Sequence, residues 1–191
     1  QASSDRWALE RFATTQDVGE YAVLSQLGNA PVSIVVGLIT NLIGPILQQR
    51  AGDATQSTRN RNVWRISWLI TLIGLIVTLV GALLSFLLHE TIFRYTVAPA
   101  YRYMSYLLPW VVLSGGLFAS SQILCLKLMS DLDTRSLIAP KVVTSILSVV
   151  LNLLGAWLFG IQGIIASSLC FSLAIFLWMA HITRNPRIIL D

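Results

Sequence analysis

The pattern of hydrophobic and polar positions is most informative between Glu20 and Arg50. The 29 residues between them carry no formal charge, yet small and polar side chains recur every three or four positions. That spacing places them on one helical face, with aliphatic residues on the others: Gln26, Asn29, Ser33, Gly37, Asn41, Gly44 and Gln48. Such a helix is long enough to cross a bilayer, and we expect its polar face to line a protein interior or a water-filled cavity. This pattern indicates a transporter, with Pro31 and Pro45 as candidate bending points of the helix.

Four further apolar segments with at most one formal charge each follow, so the pattern predicts five membrane spans, at about 18–48, 63–88, 107–129, 137–159 and 161–181. The last two come from one run of 42 uncharged residues, from 142 to 183. A single helix of that length would be about twice as long as the ~30 Å hydrocarbon core is thick, so the run must contain a break. We place the break at Gly160-Ile161-Gln162-Gly163.

The rest of the chain is assigned by its relation to these spans. Residues 1–17 are interpreted as the end of a truncated transmembrane helix and a periplasmic turn, and residues 184–191 as a cytoplasmic tail. In the second span, small residues repeat at spacings of three and four, which is typical of a close helix–helix packing seam: Ser67, Thr71, Gly74, Thr78, Gly81 and Ser85. The predicted fold is an all-α transmembrane helical bundle.

Composition and charge support a membrane location. Hydrophobic residues make up 55% of the chain and charged residues 12%, against roughly 25% charged in soluble domains. Nine Lys and Arg residues lie near one side of the predicted bundle and four near the other. The basic side is therefore predicted to be cytoplasmic and the aromatic-rich segment 90–106 periplasmic or extracellular. Nucleic-acid binding is excluded because no soluble module presents a basic face. Cys125 and Cys170 lie in apolar runs and are expected to be buried free thiols.

Several short motifs resemble those of one transporter family. Ser4-Asp5-Arg6-Trp7 followed by Asp17-Val18-Gly19-Glu20-Tyr21-Ala22 is similar to an Asp-Arg and Val-Gly-x-Tyr junction between the seventh and eighth helices of that family. Asn152 in Val150-Leu151-Asn152-Leu153, and the segment from Gly160 to Ala166, resemble its last two helices. The family is the polysaccharide (O-antigen and exopolysaccharide) flippases, the Wzx-like branch of the multidrug/oligosaccharidyl-lipid/polysaccharide (MOP) exporter superfamily.

The resemblance implies the C-terminal lobe, about helices 8–12, of a two-lobed MATE/MOP-type transporter whose N-terminal lobe is missing from this sequence. It implies a multi-pass protein of the bacterial inner membrane with a cytoplasmic C-terminus. The implied activity is the flipping, by alternating access, of undecaprenyl-pyrophosphate-linked oligosaccharides for O-antigen, lipopolysaccharide or exopolysaccharide biosynthesis. The implied partners are the lipid-linked oligosaccharide, membrane lipids, the N-terminal lobe and a polysaccharide polymerase. No cofactor is expected beyond a coupling ion, H⁺ or Na⁺.

A flippase cavity must offer hydrogen-bond partners to a polar head group, and cations if that group carries pyrophosphate. The residues that fit these needs come from the first, third and fourth spans: Gln26, Asn29, Ser33, Asn41, Gln122, Lys141, Ser148 and Asn152. For Gln122 and Asn152 we favour interhelical hydrogen bonds over cargo contacts, and for Lys141 a snorkelling anchor over a pyrophosphate contact. Asp5 and Arg6 could form a gate ion pair between lobes or a plain interfacial pair.

Three functions remain open. No nucleophile–base constellation, phosphate loop or metal-ligand spacing is present, so nothing indicates an enzyme. A cation-coupled MATE-type drug exporter would carry an acidic residue buried in a span; we expect none in the five spans, which favours the flippase. A membrane assembly subunit without transport activity would not need the polar stripe of the first span.

Overall fold

The computed structural model describes residue 11 and residues 15–51, 57–130 and 135–184. These residues form four long α-helices and one 3₁₀ helix, without a strand: α1 Thr15–Ala51, α2 Ser57–Thr96, the 3₁₀ helix Pro99–Leu107, α3 Leu108–Ser130 and α4 Arg135–Arg184. Each of the four α-helices is long and apolar enough to cross a membrane. The predicted all-helical class is confirmed, and the helices fit a membrane protein. Asp5, Arg6 and the tail beyond residue 184 lie outside the described residues.

The second helix is longer than the hydropathy pattern predicts. It covers residues 57–96 rather than 63–88, and α1 continues to residue 51. The polar ends of α2 carry no hydrophobic periodicity, but they also contain no proline or glycine that would stop a helix. The stop comes at Ala98, whose ψ of 148° is the extended conformation favoured before a proline, here Pro99. The aromatic segment 90–106 therefore consists of the end of α2 and most of the 3₁₀ helix.

The fourth helix is a hairpin with its break at Gly160. That residue has φ 57° and ψ −130°, a conformation that side-chain-bearing residues rarely adopt. It divides α4 into a first limb, residues 135–159, and a second limb, residues 161–184. The Ser167 hydroxyl donates to the Leu151 carbonyl oxygen over 2.7 Å, whereas in one straight helix these residues would be about 24 Å apart. The chain therefore reverses direction inside the predicted segment 160–163.

The two limbs touch through their backbones. A Cβ added at Gly155 would lie 2.5 Å from the Gly163 carbonyl oxygen, and one added at Gly163 would overlap the Gly155 backbone. Small residues allow this approach, as they do at many membrane helix pairs. The hairpin therefore depends on the absence of side chains at these two positions.

The third helix is the centre of the bundle. Its most apolar window is 56% buried, against 11–22% for the windows of the other three helices. A Cβ at Gly116 would overlap the Thr78 side chain of α2, and one at Gly115 would lie 2.5 Å from Asn29 Oδ1 of α1. Two adjacent glycines therefore bring a helix close to α3 on each side.

The predicted packing seam of α2 is confirmed. Four polar members of the seam are buried: Ser67, Thr71, Thr78 and Ser85. Both glycines of the seam face α3, since their added Cβ atoms would lie 3.6 Å from Ser120 and 3.7 Å from Val112. The outward side of the same helix exposes a continuous set of large aliphatic residues, as expected of a surface in contact with lipid.

Two buried apolar clusters hold the helices together. The first lies at the end of the bundle that carries the 3₁₀ helix, which we call the aromatic end, and includes Tyr21, Phe93 and Ile164. The second lies toward the other end and includes Cys125 and Phe171. The prediction of two buried thiols is confirmed for Cys125 and wrong for Cys170, which is exposed. It precedes the buried Phe171 by one residue, and the 100° rotation per residue turns it outward.

Candidate functional site

A cavity of about 750 Å³ lies between α1, α3 and the second limb of α4. Its volume lies within the ~300–1,000 Å³ range typical of ligand sites. The lining combines apolar side chains with amides and hydroxyls from all three elements: Ser25, Gln26, Asn29, Ser33, Asn41, Ser114, Gln122, Ser168 and Ser172. This arrangement can hold a polar ligand against a partly apolar wall.

The polar stripe of α1 faces this cavity. The four candidate residues of α1 line it, and Gln122 of α3 lies on the cavity wall with them. Packing against α3 sets this orientation, because Gly28 lies against Val111 and Asn29 against Gly115 at the aromatic end. Five of the eight residues predicted from the sequence therefore share one cavity; whether they contact cargo stays a prediction.

The amides of the stripe are available to a ligand. The Ser33 hydroxyl donates to the Asn29 carbonyl oxygen of its own helix over 2.8 Å, and Ser25 donates to Ala22 over 3.1 Å. Such bonds satisfy the hydroxyl hydrogens locally. The side-chain amides of Gln26, Asn29, Asn41 and Gln122 form no hydrogen bond with another described residue. Each amide can both donate and accept.

The three candidates from the first limb of α4 do not line this cavity. Ser148 and Asn152 are buried, and their spacing places them on the helical face of Gly155, which touches the second limb. Lys141 is exposed. Within the described residues the first limb therefore does not contribute to this cavity, and whether these three residues contact cargo stays a prediction. The small residues of the first limb pack closely against the second limb, and that close packing leaves no space for a ligand.

Four hydroxyl-bearing serines of the cavity were missed from the sequence. Ser25 of α1, Ser114 of α3, and Ser168 and Ser172 of the second limb all line it. The hydroxyl oxygens of the last two are buried without a hydrogen-bond partner within the described part of the chain. Ser168 and Ser172 are four residues apart and so share a helical face. That spacing was a usable signal, although serines in an apolar run are also common in packing seams.

A buried carboxylate lies next to the cavity. Glu20 is 2% exposed and precedes Tyr21, which lines the cavity. Its Oε1 accepts a hydrogen bond of 2.5 Å from the Tyr103 hydroxyl of the 3₁₀ helix. The expectation that no acidic residue is buried in a span is therefore wrong. Glu20 lies inside both the predicted first span, 18–48, and α1, and it directly precedes the uncharged run from which that span was predicted.

Comparisons of this chain with protein-family models, with curated proteins and with solved structures find no match. The chemistry of the cavity follows from its lining. No charged side chain is among the described residues that line it, whereas Tyr21 and Phe118 contribute aromatic rings. Amides, hydroxyls and aromatic faces without a fixed charge suit a neutral ligand rich in hydroxyl groups.

Proposed function

We propose that the protein is a membrane transporter that flips lipid-linked oligosaccharides of the undecaprenyl-pyrophosphate type across the bacterial inner membrane. The observation that carries the proposal is the uncharged, amide-rich cavity beside a helix long enough to span the membrane. Sugar hydroxyls donate and accept hydrogen bonds, and the side-chain amides of Gln26, Asn29 and Gln122, which line the cavity, can do the same. The similarity of the short motifs to polysaccharide flippases points the same way.

In this proposal the chain is one lobe of an alternating-access transporter. The sugar part of the cargo occupies the cavity between this lobe and a second one, as in transporters built from two related halves. The described lining residues carry no cation, so we propose that the pyrophosphate is bound by groups other than those of this cavity. The lipid tail stays in the bilayer, beside the exposed aliphatic faces of the helices.

Complementation of a flippase-deficient strain tests the proposal. The double substitution Gln26→Leu/Gln122→Leu removes two amides from the cavity and is expected to reduce transport by roughly tenfold or more, since each lost hydrogen bond contributes ~0.5–1.5 kcal/mol. Gln162→Leu is the matched control, because Gln162 is exposed and lies outside the cavity. Full complementation by the double variant at normal membrane levels would contradict the assignment of the cavity.

A cation-coupled drug exporter is the second candidate, and the buried Glu20 favours it. Carboxylates buried in spans commonly bind or relay the coupling ion in transporters. Drug efflux from everted vesicles that requires a proton or sodium gradient, and that is lost in Glu20→Gln, would favour this function over the flippase. Tyr103→Phe removes the hydrogen bond to Glu20 and keeps the carboxylate, so it separates loss of the bond from loss of the charge.

A further inference from the structure

A second, smaller cavity lies at the aromatic end, between the last turns of α2 and the 3₁₀ helix. Its volume is about 450 Å³, and ionisable side chains dominate its lining: His89, Glu90, Arg94, Arg102, Tyr103 and Tyr106. None of these residues lines the larger cavity. The two cavities therefore differ in chemistry, since one is neutral and the other is charged.

Hydrogen bonds hold the walls of this small cavity in place. Arg102 Nη2 donates to the Arg94 carbonyl oxygen over 3.1 Å, which holds the guanidinium against the end of α2. His89 Nδ1 and Ser105 Oγ are 2.9 Å apart and join α2 to the 3₁₀ helix a second time. The Tyr106 hydroxyl accepts a bond of 2.7 Å from Gln162 Nε2, so its own hydrogen is free to donate.

The cavity has an excess of positive charge. Arg94 and Arg102 carry permanent charges, and neither guanidinium pairs with a carboxylate of any described residue. Glu90 also lines the cavity without bonding to either arginine. Two guanidinium groups and a phenolic hydroxyl therefore line one cavity, and such a set of donors matches the oxygens of a phosphate.

The surroundings of the cavity indicate where such a phosphate would come from. The last turns of α2 before His89 expose large apolar side chains, including Phe86 and Leu87. Just beyond them Tyr95, Tyr106 and Trp110 are exposed, as is typical of aromatic residues at a membrane–water interface. A phospholipid lying along α2 would place its acyl chains on the apolar surface and its phosphate at the level of the arginines.

We propose that this cavity binds a phosphate group, and that in the membrane this is the headgroup phosphate of an anionic phospholipid. Arg94 and Arg102 bind the phosphate oxygens, Tyr106 donates a further hydrogen bond, and Glu90 opposes binding through its negative charge. The site needs only the aromatic end of the bundle, so it would bind phosphate whether or not the protein transports oligosaccharides.

The test is native mass spectrometry of the purified protein in mixed micelles of phosphatidylglycerol and phosphatidylcholine. The wild type is expected to retain phosphatidylglycerol preferentially, and Arg94→Gln/Arg102→Gln to lose roughly tenfold or more of that affinity. Glu90→Gln is expected to strengthen retention, because it removes the opposing charge. Arg65→Gln, an exposed arginine near the other end of α2, is the control and should leave retention unchanged.

The gain expected for Glu90→Gln keeps the test independent of misfolding, since a damaged protein would not bind more lipid. A parallel titration with inorganic phosphate distinguishes the two sources of the ligand. Displacement of the lipid by millimolar phosphate would assign the site to phosphate alone, whereas resistance to phosphate would assign it to the lipid headgroup. Equal retention by the wild type, the double arginine variant and Glu90→Gln would overturn the proposal.

Discussion

Two polar stripes with the same spacing behave differently in this molecule. The stripe of α1 lines the large cavity with Gln26, Asn29, Ser33 and Asn41. The stripe of the first limb of α4 carries Thr144, Ser148 and Asn152, and all three are buried. In the sequence both stripes are small and polar residues repeated every three or four positions, and both fit either a cavity wall or a packing seam.

The element opposite each stripe explains the difference. The first limb faces the second limb at a distance where Gly155 and Gly163 touch through their backbones, so nothing fits between them. Helix α1 packs against α3 near the aromatic end, where Leu24 is buried and Gly28 meets Val111. Between Val32 and Leu38 the side chains of α1 are half-buried or exposed, and a Cβ added at Gly37 would meet nothing within 4 Å. The cavity forms where α1 stands away from its neighbours.

The largest effect is expected from Gly163→Ala. The added methyl group would overlap the Gly155 backbone, and overpacking of this kind costs about 1–3 kcal/mol in free energy of unfolding. The measurement is the unfolding midpoint of the purified protein in detergent. Gly19→Ala is the control, because nothing lies within 4 Å of its added Cβ. Equal midpoints for the two variants would show that the limbs are not in backbone contact.

A smaller loss is expected from Asn152→Leu. Asn152 is 1% exposed and has polar contacts inside the bundle, and interhelical hydrogen bonds in membrane proteins contribute about 0.6 kcal/mol on average, with a maximum of about 1.7. The same unfolding assay should therefore show a lower midpoint, together with reduced levels in membranes. Asn41→Leu makes the same chemical change at an exposed position. If Asn41→Leu destabilised the protein as much as Asn152→Leu, the two stripes would not differ as described.

The smallest effect on stability is expected from Gln26→Leu and from Lys141→Gln. Both residues are exposed, and surface changes usually alter the free energy of unfolding by no more than about 0.5 kcal/mol. The two should separate in the complementation assay, where Gln26→Leu reduces transport and Lys141→Gln does not, because only Gln26 lines the cavity. Reduced transport in both variants at unchanged stability would return Lys141 to the site.

Local patterns were enough to predict part of the fold. The apolar runs predicted the helices because a membrane-length apolar segment must satisfy its backbone hydrogen bonds internally. The 42-residue run had to contain a break for reasons of length alone, and the glycine at position 160 has the conformation that such a break requires. The two polar ends of α2 were not predicted to be helical, because a hydropathy pattern detects only the apolar part of a helix.

The candidate site was predictable only in part, for the same kind of reason. Gln26, Asn29, Ser33 and Asn41 are three, four and eight positions apart. In any α-helix such residues lie on one face, whatever the helix packs against. Spacing contains no information on the neighbouring helix, so the sequence groups Ser148 and Asn152 with them although both are buried away from the cavity. The importance of Glu20 was missed because its partner, Tyr103, is 83 positions away in the chain.

The helical class, the break at Gly160 and the polar face of α1 could all be predicted from the sequence, because each follows from interactions within one helix or from the thickness of a bilayer. Tertiary structure alone decided which polar face is covered and which lines a cavity. It also brought Glu20 to Tyr103, and Arg94 to Arg102. These outcomes depend on how closely two helices approach, and that distance is set by the pair of facing surfaces, here by glycines on both limbs of α4.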